Sequence, residues 1–225
     1  MNAIPRIFID PGHSITDPGA VGYEVERDLN EKVSKYQNEY LLANYVCETK
    51  VDPVTNTSLS AVAERANAWK ADLLVSNHFN AGGGDGYEAL VYSEKTKALG
   101  EVFEKHVKAI GQNSRGVKYR PGLAVLRQSN MPAVLNEGAF VDNKKDIEDW
   151  NDDAELKKLG IAYAKAAAEA LDLDKKVSTP TPDPVEDDVI YRVQVGAFRN
   201  YDYAKSLQES LKAAGFNGYI VKGTM

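Results

Sequence analysis

Arg6-Ile7-Phe8-Ile9-Asp10-Pro11-Gly12-His13 opens residues 6–22, the stretch that decides how the chain is organised. Ile7, Phe8 and Ile9 are a short apolar run with β-branched character, which predicts a strand. Asp10-Pro11-Gly12 then stops it, because proline cannot continue a ladder and glycine tolerates positive φ. His13 follows at once, so its imidazole is expected at the carboxyl end of a strand, the edge where open α/β sheets bind ligands. Taken alone, a histidine in a surface turn would look the same. Three further groups at matching positions tip the balance.

Working outward, Tyr23 to Asn30 leads into a helix that runs to about residue 45. Leu29, Val33, Tyr36, Tyr40, Leu41 and Tyr45 recur mostly at three- and four-residue spacing and mark one core-facing stripe. Glu24 and Glu26 lie at or just before its first turn. Either is explained by the helix dipole, and either is a candidate to face His13 as a metal ligand. Residues 46–52 read as a second strand. Ser58 is placed to cap a helix over 59–70, in which Arg65 is expected to pair with a neighbouring carboxylate. Residues 72–77 are a buried-type strand with His78 at its carboxyl end, and residues 79–86, rich in glycine, are expected to be a flexible loop. The chain has three histidines. Two stand at strand exits, while His106 falls in a helical stretch, residues 99–110, as a surface residue.

Residues 87–92 and 132–136 read as further strands, the second closed by Glu137. Residues 116–122 are expected to be a loop, and the acidic run 146–153 a polar surface segment. Residues 155–173 form an alanine-rich helix with Leu159, Tyr163, Ala166, Ala167 and Ala170 on one side. Strands alternating with helices predict an α/β fold, a mostly parallel sheet with helices on both faces.

The 225 residues suffice for one domain of about 175 residues and a smaller second one. With 43% hydrophobic and 27% charged residues the balance is that of an ordinary globular protein. A net charge of −6 argues against nucleic acid as a partner. The single cysteine, Cys47, excludes an internal disulfide framework and a four-cysteine metal site. No apolar run approaches the roughly 20 residues needed to span a bilayer. The N-terminus leads straight into the first strand, so no signal peptide is expected; synthesis in the cytoplasm and release by a holin-type or lytic route follow.

His13, a glutamate near residue 26 and His78 make a His-Glu-His set, the ligand mix of catalytic zinc sites. Zinc polarises carbonyls and activates water, and such a site needs a base that is not itself a ligand. Glu137 is placed for that.

The same residues carry a resemblance. Ile9-Asp10-Pro11-Gly12-His13, Asp17-Pro18-Gly19-Ala20, Glu26-Arg27-Asp28-Leu29-Asn30, Arg65-Ala66-Asn67, Ser76-Asn77-His78-Phe79-Asn80 and Met131-Pro132-Ala133-Val134-Leu135-Asn136-Glu137-Gly138-Ala139-Phe140 occur in this order. This series resembles the zinc-dependent N-acetylmuramoyl-L-alanine amidases of the third amidase type, over about residues 4–173. The resemblance implies that His13, Glu26 and His78 bind zinc, with Glu26 chosen over Glu24, and that Glu137 is the catalytic base. It implies hydrolysis of the amide joining N-acetylmuramic acid to L-alanine in bacterial peptidoglycan, by a phage lysin or a mother-cell autolysin. Ser14-Ile15 departs from the glycines common in relatives without removing a ligand. The alternative is a catalytically silent peptidoglycan-binding protein, against which the intact ligand set argues.

Residues 175–188 contain three prolines and little apolar content, the composition of an extended linker. The catalytic domain is therefore expected over 1–174. Residues 189–225 read as strand, helix and strand. The motif Val193-Gln194-Val195-Gly196-Ala197-Phe198 and the Gly215-Phe216 helix end resemble the start of a sporulation-related (SPOR) repeat, a peptidoglycan-binding module. From Val189 onward five Lys or Arg oppose two acids. A β-α-β piece this short leaves strand edges open, so pairing into a homo-oligomer is expected as one way to complete it.

Overall fold

The computed structural model describes residues 3–53, 61–176 and 194–222. The chain divides into two compact units, Met1–Ser178 and Thr179–Met225.

The first unit is built on a six-stranded sheet: β1 (Arg6–Pro11), β2 (Glu48–Val51), β3 (Leu73–Asn80), β4 (Tyr87–Val91), β5 (Ser114–Tyr119) and β6 (Ala133–Phe140). The spatial order is β2-β1-β3-β6-β4-β5. All neighbours run parallel except β4 and β6. Its helices are α1 (Glu26–Asn44), α2 (Ala61–Trp69), α3 (Lys97–Lys108), α4 (Ala124–Arg127), α5 (Lys144–Glu148) and α6 (Asp153–Ala170).

Side chains alternate across a strand, so each strand feeds two faces. On one face Ile7, Ile9, Val75, Ala89, Val91 and Val134 pack under α1, α3 and α6 to form the larger core. Gly160 of α6 lets that helix approach α1 closely, since a Cβ there would lie 2.7 Å from the Val33 carbonyl oxygen. On the other face Phe8, Leu74, Leu90 and Leu135 pack under the short α2 and α4. That smaller cover ends there. One step further along the same strands, the same face carries Asp10 after Phe8, Ser76 and His78 after Leu74, Glu137 after Leu135, and Glu88 before Leu90. The functional edge of the sheet is thus a polar continuation of an apolar face.

Four expectations change. Residues 114–119, partly expected as loop, are the edge strand β5; Gly116 sits at φ 86°, and the register shifts beside it. Both β3 and β6 run further than expected, so His78 and Glu137 lie within strands rather than just beyond them. The acidic run holds a buried residue: Asp146 accepts hydrogen bonds from the backbone N–H of Gly86 and Phe140, both at 2.8 Å, and from Gln112 Nε2 at 3.1 Å. The glycine-rich loop is pinned, because Asp142 also accepts from Gly82 N at 2.7 Å and Gly83 N at 3.0 Å. Ser58 lies outside the described residues.

The second unit contains α7 (Tyr201–Ala213), capped at its start by the Asn200 side chain accepting from Asp202 N at 2.8 Å. Leu211 and Phe216 are linked by the backbone bond that ends the helix. The flanking stretches expected to be strands, described over 194–198 and 218–221, pair with nothing among the described residues. Alternating side chains supply strand propensity, but a ladder needs a paired neighbour, and these stretches have none among the described residues. No helix among the described residues is long and apolar enough to cross a membrane.

Candidate metal centre

Three elements deliver the site. Beyond β1 the backbone turns at His13, which takes φ 74°, a left-handed conformation unfavourable for a residue with a Cβ. The turn is held by paired backbone bonds between Ser14 and Asp17 and aims the imidazole back over the sheet. Glu26 is the first residue of α1, and His78 stands on β3 beside β1.

Glu26 lies between the two imidazoles. Its Oε1 is 2.9 Å from His13 Nε2 and 2.8 Å from His78 Nδ1, while Oε2 accepts from Ala20 N at 2.8 Å. The His13 and His78 rings meet edge to face with centroids 5.0 Å apart. On its far side His13 Nδ1 lies 3.0 Å from Asp17 Oδ2, a second carboxylate that fixes the ring's orientation. Two glycines make room: a Cβ on Gly12 would fall 2.2 Å from the His78 ring, and one on Gly19 2.5 Å from Glu26 Oε2. Glu24 is elsewhere, accepting from Asn151 Nδ2 at 3.3 Å. Of the two glutamates, Glu26 is the one in contact with both histidines.

Electrostatics follow from this geometry. Burial opposes charge on His13, but the hydrogen bonds its protonated ring donates to Glu26 and Asp17 outweigh it and hold its pKa up at about 9. Burial likewise opposes charge on His78, yet Glu26 and then Glu137 raise its pKa. Burial would push the Glu26 carboxyl up, but its bonds to His13 and His78 hold it far below the usual carboxylate range. A group of donors that gathers protons around one carboxylate is one in which a dication replaces those protons. Two imidazoles and a carboxylate, with donor atoms all within 4.8 Å of one another, fit a divalent metal.

Glu137 sits beside His78 in register across the β3–β6 pair. Its Oε2 is buried and has no hydrogen-bond partner among the described residues, and burial raises its pKa to about 7. It does not belong to the three-donor cluster but faces it.

Beneath these residues runs a buried polar chain that sequence reasoning missed. Asn77, next to His78, donates to Ser34 Oγ at 3.0 Å and Gln37 Oε1 at 2.7 Å on α1. Asn136, next to Glu137, donates to Asn77 Oδ1 at 3.1 Å and accepts from the Tyr87 hydroxyl at 2.7 Å. Asn30 of α1 donates to the carbonyl of Gly12, next to His13, at 3.1 Å. Each strand residue bearing a site side chain is thus locked through its neighbour to the helix that begins with Glu26. The sequence signal was polar residues inside otherwise apolar strands.

His106 is not part of the site; its Nε2 lies 2.8 Å from Glu169. Arg65 makes the ion pair expected of it, a two-pronged contact with the buried carboxylate of Asp52.

The chain is similar to known proteins along most of its length. The N-acetylmuramoyl-L-alanine amidase family profile matches residues 7–169, and the SPOR domain profile matches residues 156–222. The two matches share α6, which is packed in the first unit's core. The N-acetylmuramoyl-L-alanine amidase CwlM of Bacillus licheniformis is 32% identical, over 96% of this chain and 84% of that protein. The endolysin of Bacillus phage SPP1 is 33% identical, over 78% and 69%. The solved catalytic domain of CwlV, an N-acetylmuramoyl-L-alanine amidase from Bacillus (Paenibacillus) polymyxa var. colistinus, superposes with a TM-score of 0.71 at 28% identity, covering 76% of this chain and all of that one.

Proposed function

The chain belongs to the N-acetylmuramoyl-L-alanine amidase family, and on that footing we propose that it hydrolyses the amide between N-acetylmuramic acid and the L-alanine of the peptidoglycan stem, with zinc held by His13, Glu26 and His78 and with Glu137 as the base. The observation that carries the reading is the Glu137 carboxylate, whose Oε2 is buried without a partner among the described residues, facing a His-Glu-His cluster.

Zinc bound by these three residues supplies Lewis-acid polarisation of the carbonyl and of water. The chain's own groups do the rest. The Asp17 contact at Nδ1 turns His13 Nε2 toward the cluster. Glu137 takes a proton from the attacking water and returns it to the alanine nitrogen as the C–N bond breaks. In the metal-free protein burial raises the Glu137 pKa to about 7, which favours a carboxyl able both to take and to return a proton.

We further assign residues 1–174 to catalysis, 175–188 to a linker and 189–225 to wall binding, supported by the division into two units and by the SPOR match. Pairing of the second unit with another copy remains part of this proposal, as its flanking stretches have no ladder partner among the described residues. A role in wall lysis, as an endolysin or a sporulation autolysin, is supported by relatives of both kinds.

The test is product analysis. Purified cell walls incubated with the zinc-loaded protein are expected to yield new N-terminal L-alanine and no new reducing sugar ends. Reducing ends, or new amino groups on other residues only, would overturn the proposal.

A further inference from the structure

His78, Glu137 and Glu88 stand abreast on three neighbouring strands, each the register partner of the next. Beyond Glu88 comes β5, where Lys118 is opposite Leu90. Glu88 is buried, and two cations converge on its Oε1: Arg115 Nε at 2.6 Å and Lys118 Nζ at 3.0 Å. Those contacts outweigh burial and hold its carboxyl below the usual range. One carboxylate balances only one of the two cations, so the cluster carries a net positive charge in a chain of net charge −6.

The excess is reachable. The Arg115 side chain is 41% exposed and that of Lys118 30%. Arg115 gives Glu88 only its Nε, and its two terminal amino groups make no hydrogen bond among the described residues. Its guanidinium lies over the Phe140 ring at 5.3 Å, which fixes the plane of the fork. A planar fork with both terminal groups free binds a carboxylate through two parallel hydrogen bonds. At the opposite side of the sheet, Arg65 is already engaged on both sides by Asp52.

We infer that Arg115 and Lys118 form a subsite for the free α-carboxylate of the γ-linked glutamate that follows L-alanine in the stem peptide, an inference that rests on the amidase reading above. The spacing agrees. β5 lies two strands from Glu137, about 10 Å at the backbone, and both cations reach back toward Glu88. In an extended stem the α-carboxylate lies about 7 Å from the scissile carbonyl, the span of two residues. The anchored acid would hold the alanine amide against Glu137.

The test compares two soluble substrates, muramyl-L-alanyl-γ-D-glutamyl-L-lysine and the same molecule with the α-carboxylate amidated. The wild-type, zinc-loaded full chain is expected to favour the carboxylate form about tenfold in kcat/KM, mainly through KM. In Arg115→Gln and Lys118→Met that ratio should fall toward one, and Arg115→Lys should recover part of it. Zinc stoichiometry and circular dichroism verify that each variant is folded. Equal rates on both substrates by the wild type overturn the subsite and leave the amidase reading standing, as does full discrimination in both folded neutral variants. Hydrolysis of neither substrate overturns both. If Arg115→Gln fails to fold, the wild-type ratio and Lys118→Met still decide.

Discussion

Metal binding should be strongly proton-linked, and the structure gives the size of the effect. An imidazole must be neutral at its ligating nitrogen to bind a metal, so a bound proton and a metal ion compete. In the metal-free cluster His13 has a pKa of about 9. At pH 7 it is therefore protonated, and displacing that proton costs about 3 kcal/mol, the equivalent of about two pH units. Zinc affinity should rise about fiftyfold from pH 7 to pH 9 through His13 alone, and about a hundredfold by the plateau above pH 9. His78, whose pKa is also raised, steepens the dependence in the same direction. The sign is fixed: affinity weakens as pH falls below about 9 and levels off above it. Competition against a chelator of known affinity across this range measures the slope. Calorimetry in two buffers of different ionisation enthalpy counts the protons, and at least one per zinc is expected at pH 7. A flat affinity with no proton release would refute the coupling between Glu26 and the two histidines.

Gly12→Ala places a Cβ 2.2 Å from the His78 ring, so the ring must move, and zinc affinity measured by the same competition should fall at least about tenfold. Tyr87→Phe leaves the buried Asn136 Oδ1 without its 2.7 Å donor. That should cost about 1–3 kcal/mol and lower Tm by roughly 2–10 °C in a thermal scan, with kcat falling because Asn136 adjoins Glu137. A chain ending at residue 176 should keep its rate on soluble muropeptides and sediment less with intact walls; equal retention on walls would remove the wall-binding role from residues 189–225. Light scattering on the full chain tests pairing through the second unit, for which a doubled mass is expected.

The sheet's functional edge was legible in the sequence because the signal is local. An apolar run followed by a polar side chain places that side chain toward the carboxyl end of a strand, and this put His13, His78 and Glu137 on one edge, although β3 and β6 run on past the last two. Choosing Glu26 over Glu24 was not legible from charge or helix position, since both suit a helix start. The choice depends on the turn at Ala20, whose N–H holds Glu26 Oε2. Asp146 read as surface because its partners, Gly86, Gln112 and Phe140, are brought to it only by folding. The strand β5 was obscured by Gly116 and by Arg115 and Lys118, polar because they serve Glu88 rather than a core. In the second unit the alternating pattern was present, but pattern alone does not supply the neighbouring strand a ladder requires.

The division of labour between metal ligands and base is tested most directly by measuring zinc content and activity on the same preparations of Glu137→Gln and His78→Ala. The neutral amide retains the shape of Glu137 but cannot take a proton, so Glu137→Gln should hold one zinc per chain and expose no new N-terminal L-alanine in walls. His78→Ala removes one of the three donors and should lose both zinc and activity. Loss of zinc in Glu137→Gln, or activity persisting in it, would contradict the account.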